Sequence, residues 1–592
     1  MVETICQLFI NTIKSYPKDD LMLFKKEGRY TPISTEEFGE KVVNFSLGLK
    51  ALGLNAGDKL IILSENRPEW TMTDVATLCM GGITVPIYTN LSPEQIKFIV
   101  NDSDARVVVC SNEELWEKVR AVKSELPLVS HFITYLPDAP EGMKTFNDIL
   151  ELGKQKSQEE PGLFDQLALT VKSSDIASII YTSGTTGEPK GVMLTHSNFI
   201  SNVTSVSAIL PISQKDTSLS FLPLSHSYER TVTFVMLYNG CTIGYVESME
   251  TVAENMPEVR PTIMGAVPRL FEKIYAKVMD NVLFSSPLKR KIFFWALKTG
   301  KEYAFRDLEK KKISGILRFK RNLAHKLVFS KIIEKTGGRI RFFVTGAASL
   351  SKDIAEFFYA MGIVILEAYG LTETSPAATF NTFEDLRFGT VGKPIPGVDV
   401  KIAEDGEILI RGPNVMKGYY KKDEATKECI QENWFYSGDI GYLDEDGFLV
   451  ITDRKKDIIV TAGGKNVAPQ QIENLLKTNP YIDTAVTIGD RRRFISALIV
   501  PDFDKLEEYA KLNEISYTDR SDLVAKDKIV DFMLSEVDKN QQDLAAYEKV
   551  KKIALLDRDF EIAKGEITPT LKVKRNIIEK KYADLIESLY EE

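Results

Sequence analysis

The chain has 592 residues, enough for several domains, and 44% of them are hydrophobic, the ordinary share for a globular protein with a large core. A net charge of -9 argues against nucleic acid as the main partner, and the lack of any uninterrupted apolar run of about 18 residues argues against spanning helices. Cys6, Cys79, Cys110, Cys241 and Cys429 form no CxxC pair and, with only four histidines, carry no zinc signal; they read as reduced thiols of a cytoplasmic protein.

The N-terminal stretch "MVETICQLFINTIKSYPKDD" lacks the basic start and long apolar run of a signal peptide. "DKLIILSEN" and "ARVVVCSN" read as buried strands near helices such as "SPEQIKFIVND". "IRFFVTGAASL" is a strand ending in a small-residue turn before the helix "SKDIAEFFYAMG", and this alternation predicts parallel sheets covered by helices. Ahead of that strand, residues 289–331 hold 14 basic and 3 acidic side chains, interleaved with Phe293, Phe294, Trp295, Phe305, Leu317 and Phe319. This segment reads either as a helical insertion (281–337) whose aromatics reach the core, or as a basic amphipathic face for an anionic membrane. After about residue 390, "VDVKIAEDGEILIRG" and "GYLDEDGFLVITDR" carry Asp-Gly turns and read as hairpins. A second compact unit begins beyond Asp453 with the helix "PQQIENLLKTNP" and the strands "DTAVTIGD" and "SALIVPD". The expected fold is α/β: a large N-terminal domain (1–453) of helix-covered sheets plus a β-rich subdomain, then a small α+β C-terminal domain (454–592).

The chemistry concentrates in "YTSGTTGEPKG", Tyr181 to Gly191. Gly184, Gly187 and Gly191 let the backbone turn sharply and bring N–H groups toward one anion. The hydroxyls of Thr182, Ser183, Thr185 and Thr186 add donors and Lys190 a positive charge, which together suit a polyphosphate. Pro189, Lys190 and Gly191 stand where a Walker A loop needs Gly-Lys-Ser/Thr, so P-loop NTPase chemistry is disfavoured. Alone, the stretch would also pass as a surface turn.

The ordered set "YTSGTTGEPKG", "YGLTET", "YSGD", "DRKKD" and "PTLKVKR" resembles the adenylate-forming superfamily of acyl-CoA synthetases, adenylation domains and luciferases, over nearly the whole chain. "VPRLFEKIYAKV", the basic insertion, "GPNVMKGYYK" and "TAGGKNVAPQ" look like long-chain fatty acyl-CoA synthetases in particular. The resemblance implies a mobile C-terminal domain and two reactions: a fatty carboxylate and ATP give acyl-AMP and pyrophosphate, then coenzyme A displaces AMP. It implies that Thr182–Lys190 is the phosphate loop and that Gly346, Ala347 and Ala348 form the adenine-side turn. Tyr369 and Gly370 would lie by adenine, Thr372 would touch the α-phosphate, and Glu373, with Thr182, would hold Mg²⁺, a hard cation suited to carboxylate and phosphate oxygens. Asp439 would accept both ribose hydroxyls, Arg454 would reach ribose or phosphate, and Lys456 would be the hinge. His226 would line the acyl pocket near the carboxylate; without the family it reads as a core histidine. Lys572 is the expected catalytic lysine, with Lys574 as the competing alignment. Gly463, Gly464 and Lys465 are the candidates on the coenzyme A side. The resemblance implies ATP, Mg²⁺, coenzyme A and a long-chain fatty acid as partners, with a homodimer and the inner membrane face as open alternatives. The competing functions are an acyl-carrier-protein or acyl-AMP ligase on the same fold, and a non-catalytic nucleotide- or lipid-binding scaffold.

Overall fold

The computed structural model describes residues 2–182, 189–561, 564–568 and 573–591. In one large sheet, strands Lys59–Leu63, Ile83–Ile87 and Ala105–Cys110 pair in parallel. Nearly every side chain on them is buried, as unbroken apolar runs in a sheet covered on both faces require. Helix Pro93–Asp102 shows the local logic: Ser92 and Gln95 form a capping box, and Ile96, Ile99 and Val100 turn one stripe inward. Strand Ile176–Thr182 joins this sheet beside Ile83–Ile87, and Lys190–Thr195 returns antiparallel to it.

The second large sheet sets Thr217–Ser220, Thr242–Tyr245, Ile263–Ala266, Phe342–Thr345 and Val364–Gly370 in parallel. One guanidinium ties the helix that follows strand Thr217–Ser220 to the first sheet. Arg230, on helix Ser227–Tyr238, donates to both carboxylate oxygens of Asp74 at 2.6 and 2.8 Å, to Ser178 Oγ at 2.6 Å and to Thr84 Oγ1 at 2.7 Å. Arg230 and Asp74 are both about 1% exposed, so each charge depends on the other for its solvation.

The expected hairpins are present: Asp399–Ile402 pairs with Glu407–Arg411, and Trp434–Leu443 with Leu449–Arg454. The last strand runs through Arg454, which pairs with Asp439. Beyond it, residues between Ile459 and Leu589 close a hydrophobic core of their own around strands Ile482–Ile488, Ile495–Pro501 and Val550–Leu555.

The basic segment divides its apolar side chains. Helices Pro287–Leu308 and Gly315–Ala324 bury Phe293, Ala296, Leu317 and Ala324, and the Phe293 ring lies 6.4 Å from that of Phe357. On helix Gly315–Ala324 the opposite stripe of Ile316, Phe319 and Leu323 faces outward, the first two at 71% and 70% exposure. Among the described residues no helix is long and apolar enough to cross a membrane, and all five cysteines are free.

Candidate active site

The carboxyl ends of the parallel strands open onto one cleft, where α/β sheets place their ligands. Its volume is about 1400 Å³, more than a single drug-sized ligand fills. Thr182, Lys190, His226, Gly346, Ala347, Ala348, Tyr369, Gly370, Thr372, Glu373, Arg454 and Lys456 all line it. Ser183, Gly184, Thr185, Thr186 and Gly187 of the expected phosphate loop, and Lys572, lie outside the described residues.

Thr182 ends one strand and Lys190 begins the next, and the two are cross-strand partners. The Lys190 ammonium lies 4.9 Å from the Tyr419 ring centre, and the Tyr419 hydroxyl donates to Glu373 Oε1 at 2.9 Å. Tyr419 therefore couples the loop lysine to the carboxylate expected to hold magnesium. Burial and Glu373 push its hydroxyl above its ordinary pKa, so it remains a donor. Among the described residues no group of three or more His, Cys, Asp or Glu could hold a metal. A lone carboxylate still fits a magnesium ion that keeps waters and phosphate oxygens.

Gly370 must be glycine, because a Cβ there would sit 1.7 Å from the Pro376 carbonyl oxygen. That close approach lets the chain turn out of its strand into the short helical turn Thr372–Thr374. The Ser227 hydroxyl donates to Thr372 Oγ1 at 3.4 Å, joining this turn to the helix capped by His226. His226 Nδ1 accepts from the Tyr228 N–H at 3.1 Å, which leaves the proton of the neutral ring on Nε2. Ala347 takes a left-handed φ of 67°, a conformation uncommon for a residue with a Cβ, in the turn that follows strand Phe342–Thr345.

Asp439, Tyr369 and Arg454 come together. The Tyr369 hydroxyl donates to Asp439 Oδ2 at 2.7 Å, and Arg454 Nε lies 3.3 Å from Asp439 Oδ1. Burial, then the Asp439 carboxylate, raise the Tyr369 pKa well above its usual range. A ribose accepted by Asp439 would have to replace or share these two internal partners.

The C-terminal unit presents Ile567, Thr568, Val573 and Lys574 to the cleft, with Ile567 and Val573 bridged antiparallel. Gly463, Gly464 and Lys465 are exposed and outside the cleft lining, so Lys574 faces the cleft here and these three do not. The same cleft is also lined by the apolar side chains of Val206, Leu210, Ile212, Val235, Met236 and Phe380.

Three lining residues were not foreseen from sequence. Tyr419 lies within "GPNVMKGYYK", where nothing local signals a role. Glu229 is 2% exposed, and burial pushes its carboxyl up to about 8; its Oε2 has no hydrogen-bond partner among the described residues. Asp453 is pushed up to about 6 by burial, and its Oδ2 accepts from the Gln470 N–H at 3.1 Å. Nothing in the local sequence of either carboxylate marks it as buried.

Fold and cleft together define a protein of the adenylate-forming class. The AMP-binding enzyme profile matches residues 9–420 and that of its C-terminal domain residues 456–592, so the chain belongs to the AMP-binding enzyme family. Within it, the chain is 34% identical over 576 residues to the long-chain-fatty-acid–CoA ligase FadD15 of Mycobacterium tuberculosis, covering 96% of this chain and 94% of that one. It is 33% identical to the long-chain-fatty-acid–CoA ligase ACSBG2 of Xenopus laevis, covering 100% and 84%. Among solved structures it resembles a Mycobacterium tuberculosis fatty acyl CoA synthetase (TM-score 0.63, 22% identity, 98% and 99% covered). It also resembles the anthranilate CoA ligase AuaEII in complex with anthranoyl-AMP (TM-score 0.74, 19% identity, 99% and 98% covered).

Proposed function

We propose that this protein is a long-chain fatty acid–CoA ligase that forms acyl-AMP from ATP and then acyl-CoA. The observation that carries the reading is that one cleft is lined both by Lys190, His226 and Thr372 and by the apolar side chains of Val206, Leu210, Ile212, Val235, Met236 and Phe380: an alkyl chain can lie against the apolar side chains with its carboxylate at the polar ones. In the first step a carboxylate oxygen bonds to the α-phosphorus and the bond to pyrophosphate breaks. The barrier is the approach of an anion to a triphosphate, so donors and cations fixed where charge gathers lower it most. Thr182, Lys190 and Thr372 supply them, joined by Lys572. Asp439, Arg454 and Tyr369 orient the ribose and adenine, against the turn Gly346–Ala348. Glu373, with Thr182, would hold Mg²⁺, which neutralises phosphate charge when bound. In the second step the thiol sulfur bonds to the acyl carbon, the bond to AMP breaks, and the thiol proton is lost. The cleft face now carrying Thr568 and Lys574 must clear for this. We assign that motion to a C-terminal domain divided from the rest near Asp453 and turning at Lys456, which would bring Gly463, Gly464 and Lys465 toward coenzyme A.

The outward stripe Ile316, Phe319 and Leu323 and its basic neighbours support a reversible membrane contact. Of the large hydrophobic side chains exposed among the described residues, eight fall between Leu283 and Leu327. Co-sedimentation should increase with the anionic lipid content of liposomes and fall with salt; equal binding to neutral liposomes would remove the electrostatic part of this reading.

The function is tested with acids from acetate to stearate, reading pyrophosphate and thioester separately, with coenzyme A or acyl carrier protein as acceptor. Long chains should give both products, with the thioester on coenzyme A. Thioester on the carrier protein alone would favour the carrier-protein ligase. Pyrophosphate without any thioester would favour an acyl-AMP ligase.

A further inference from the structure

Helix Pro268–Leu283 lies in the large N-terminal part, yet two of its charged side chains pair with the C-terminal unit. Arg269 makes a short ion pair with the Asp483 carboxylate, and its Nη1 lies 3.4 Å from the Asp483 carbonyl oxygen. Asp280 Oδ1 lies 3.0 Å from Lys505 Nζ. Asp483 is on strand Ile482–Ile488 and Lys505 on helix Phe503–Leu512, consecutive layers of the same small core.

The spacing gives these pairs their effect. Residues eleven apart in an α-helix lie about three turns apart, on one face, with about 16 Å of rise between them. One ion pair would act as a pivot. Two at that separation resist rotation about either, so they hold an orientation as well as a distance. The orientation held is the one that turns Thr568 and Lys574 to the cleft and leaves Gly463–Lys465 outside it. The Asp453 carboxylate accepting from Gln470 adds a third contact, at the hinge.

We propose that Arg269 and Asp280 are positioning residues that clamp the C-terminal unit in the adenylating pose. This rests on the two-step reading above. Pairs of this kind, partly open to solvent, each bias an equilibrium by no more than roughly fivefold. That is strong enough to favour one pose and weak enough to release it in every turnover. The side-chain exposures fit a releasable contact: 36% and 34% for Arg269 and Asp483, 32% and 17% for Asp280 and Lys505.

The test compares the two half-reactions in the full-length protein: palmitate-dependent ATP–pyrophosphate exchange, and thioester formation from supplied palmitoyl-AMP and coenzyme A. Arg269→Asp, Asp483→Arg, Asp280→Lys and Lys505→Asp should each lower the ratio of exchange to thioester formation by roughly two- to fivefold. The charge-swapped doubles, Arg269→Asp with Asp483→Arg and Asp280→Lys with Lys505→Asp, should restore the ratio to within about twofold of wild type. Arg269 and Asp483 also line the rim of the cleft, whereas Asp280 and Lys505 do not, so the second pair reports on the interface alone. Unchanged ratios in the single variants, or doubles no better than the singles, would overturn the clamp while leaving the ligase reading intact. A wild-type protein with neither half-reaction would overturn both.

Discussion

Replacing Glu229 by Gln tests the least expected feature of the cleft. The carboxyl is enclosed, and burial pushes it from its ordinary 4.5 up to about 8, so it is protonated at neutral pH and an amide matches its size and neutrality. Its folded-state pKa lies above that of the unfolded chain, so its contribution to stability is complete below about pH 4.5. It is lost as pH rises toward 8, because the unfolded chain releases the proton first. Each pH unit in that window is worth about 1.4 kcal/mol, and the span from pH 5 to pH 8 therefore costs the wild type about 4 kcal/mol that the Gln variant does not lose. Glu367, also pushed up to about 8 by burial, is common to both proteins and cancels in the difference. Denaturant midpoints measured for both proteins across this range should diverge steadily in favour of Gln as pH rises. Ionisation should also place a negative charge on the cleft lining, so the fatty-acid KM of the wild type should climb above pH 8 while that of the variant stays level. Parallel stability profiles, or a KM rise shared by both proteins, would refute the buried neutral carboxyl.

Lys572→Ala should slow acyl-AMP formation by about two to three orders of magnitude and spare thioester formation from supplied acyl-AMP, while Lys456→Pro should do the reverse by stiffening the hinge. If Lys574→Ala shows the first pattern instead, the catalytic lysine is Lys574. Asp439→Ala should raise the ATP KM by roughly ten- to a hundredfold, the cost of losing hydrogen bonds to a charged acceptor, and a change confined to the fatty-acid KM would cancel the ribose assignment. Glu373→Gln should raise the magnesium concentration needed for half-maximal exchange, and an unchanged magnesium profile at normal turnover would remove it from the metal site. Arg230→Ala should destabilise the N-terminal part by about 3–5 kcal/mol by leaving Asp74 buried and unpaired, read as a fall in the denaturant midpoint; a shift typical of a surface residue would mean that water reaches the pair.

Short-range physics made much of this protein legible from its chain. Val107–Cys110 and Leu60–Leu63 are apolar runs too short for helices, Asp405-Gly406 and Asp446-Gly447 can turn hairpins, and five motifs in order carry the family. The division expected near Asp453 comes from a change in texture, and the strand there runs on to Arg454 because its last pairing, with Asp439, is made across a hairpin rather than along the chain. What the tertiary structure decided are meetings between residues far apart in sequence. Phe293 and Phe294 are neighbours with the same side chain, yet one is buried and the other 42% exposed, because only the packing of their helix selects a face. Lys190, Glu373 and Tyr419 become one unit only when strand Gly418–Tyr419 pairs beside Lys190–Thr195. Glu229 reads as an ordinary polar helix residue until Ser220 and Gly265 close around it, and Arg269 meets Asp483 only where the C-terminal hydrophobic core packs against the N-terminal part. Periodicity and turn chemistry act over a few residues and leave their mark in the local sequence; burial and charge pairing depend on which surfaces come together, and that information exists only in the folded chain.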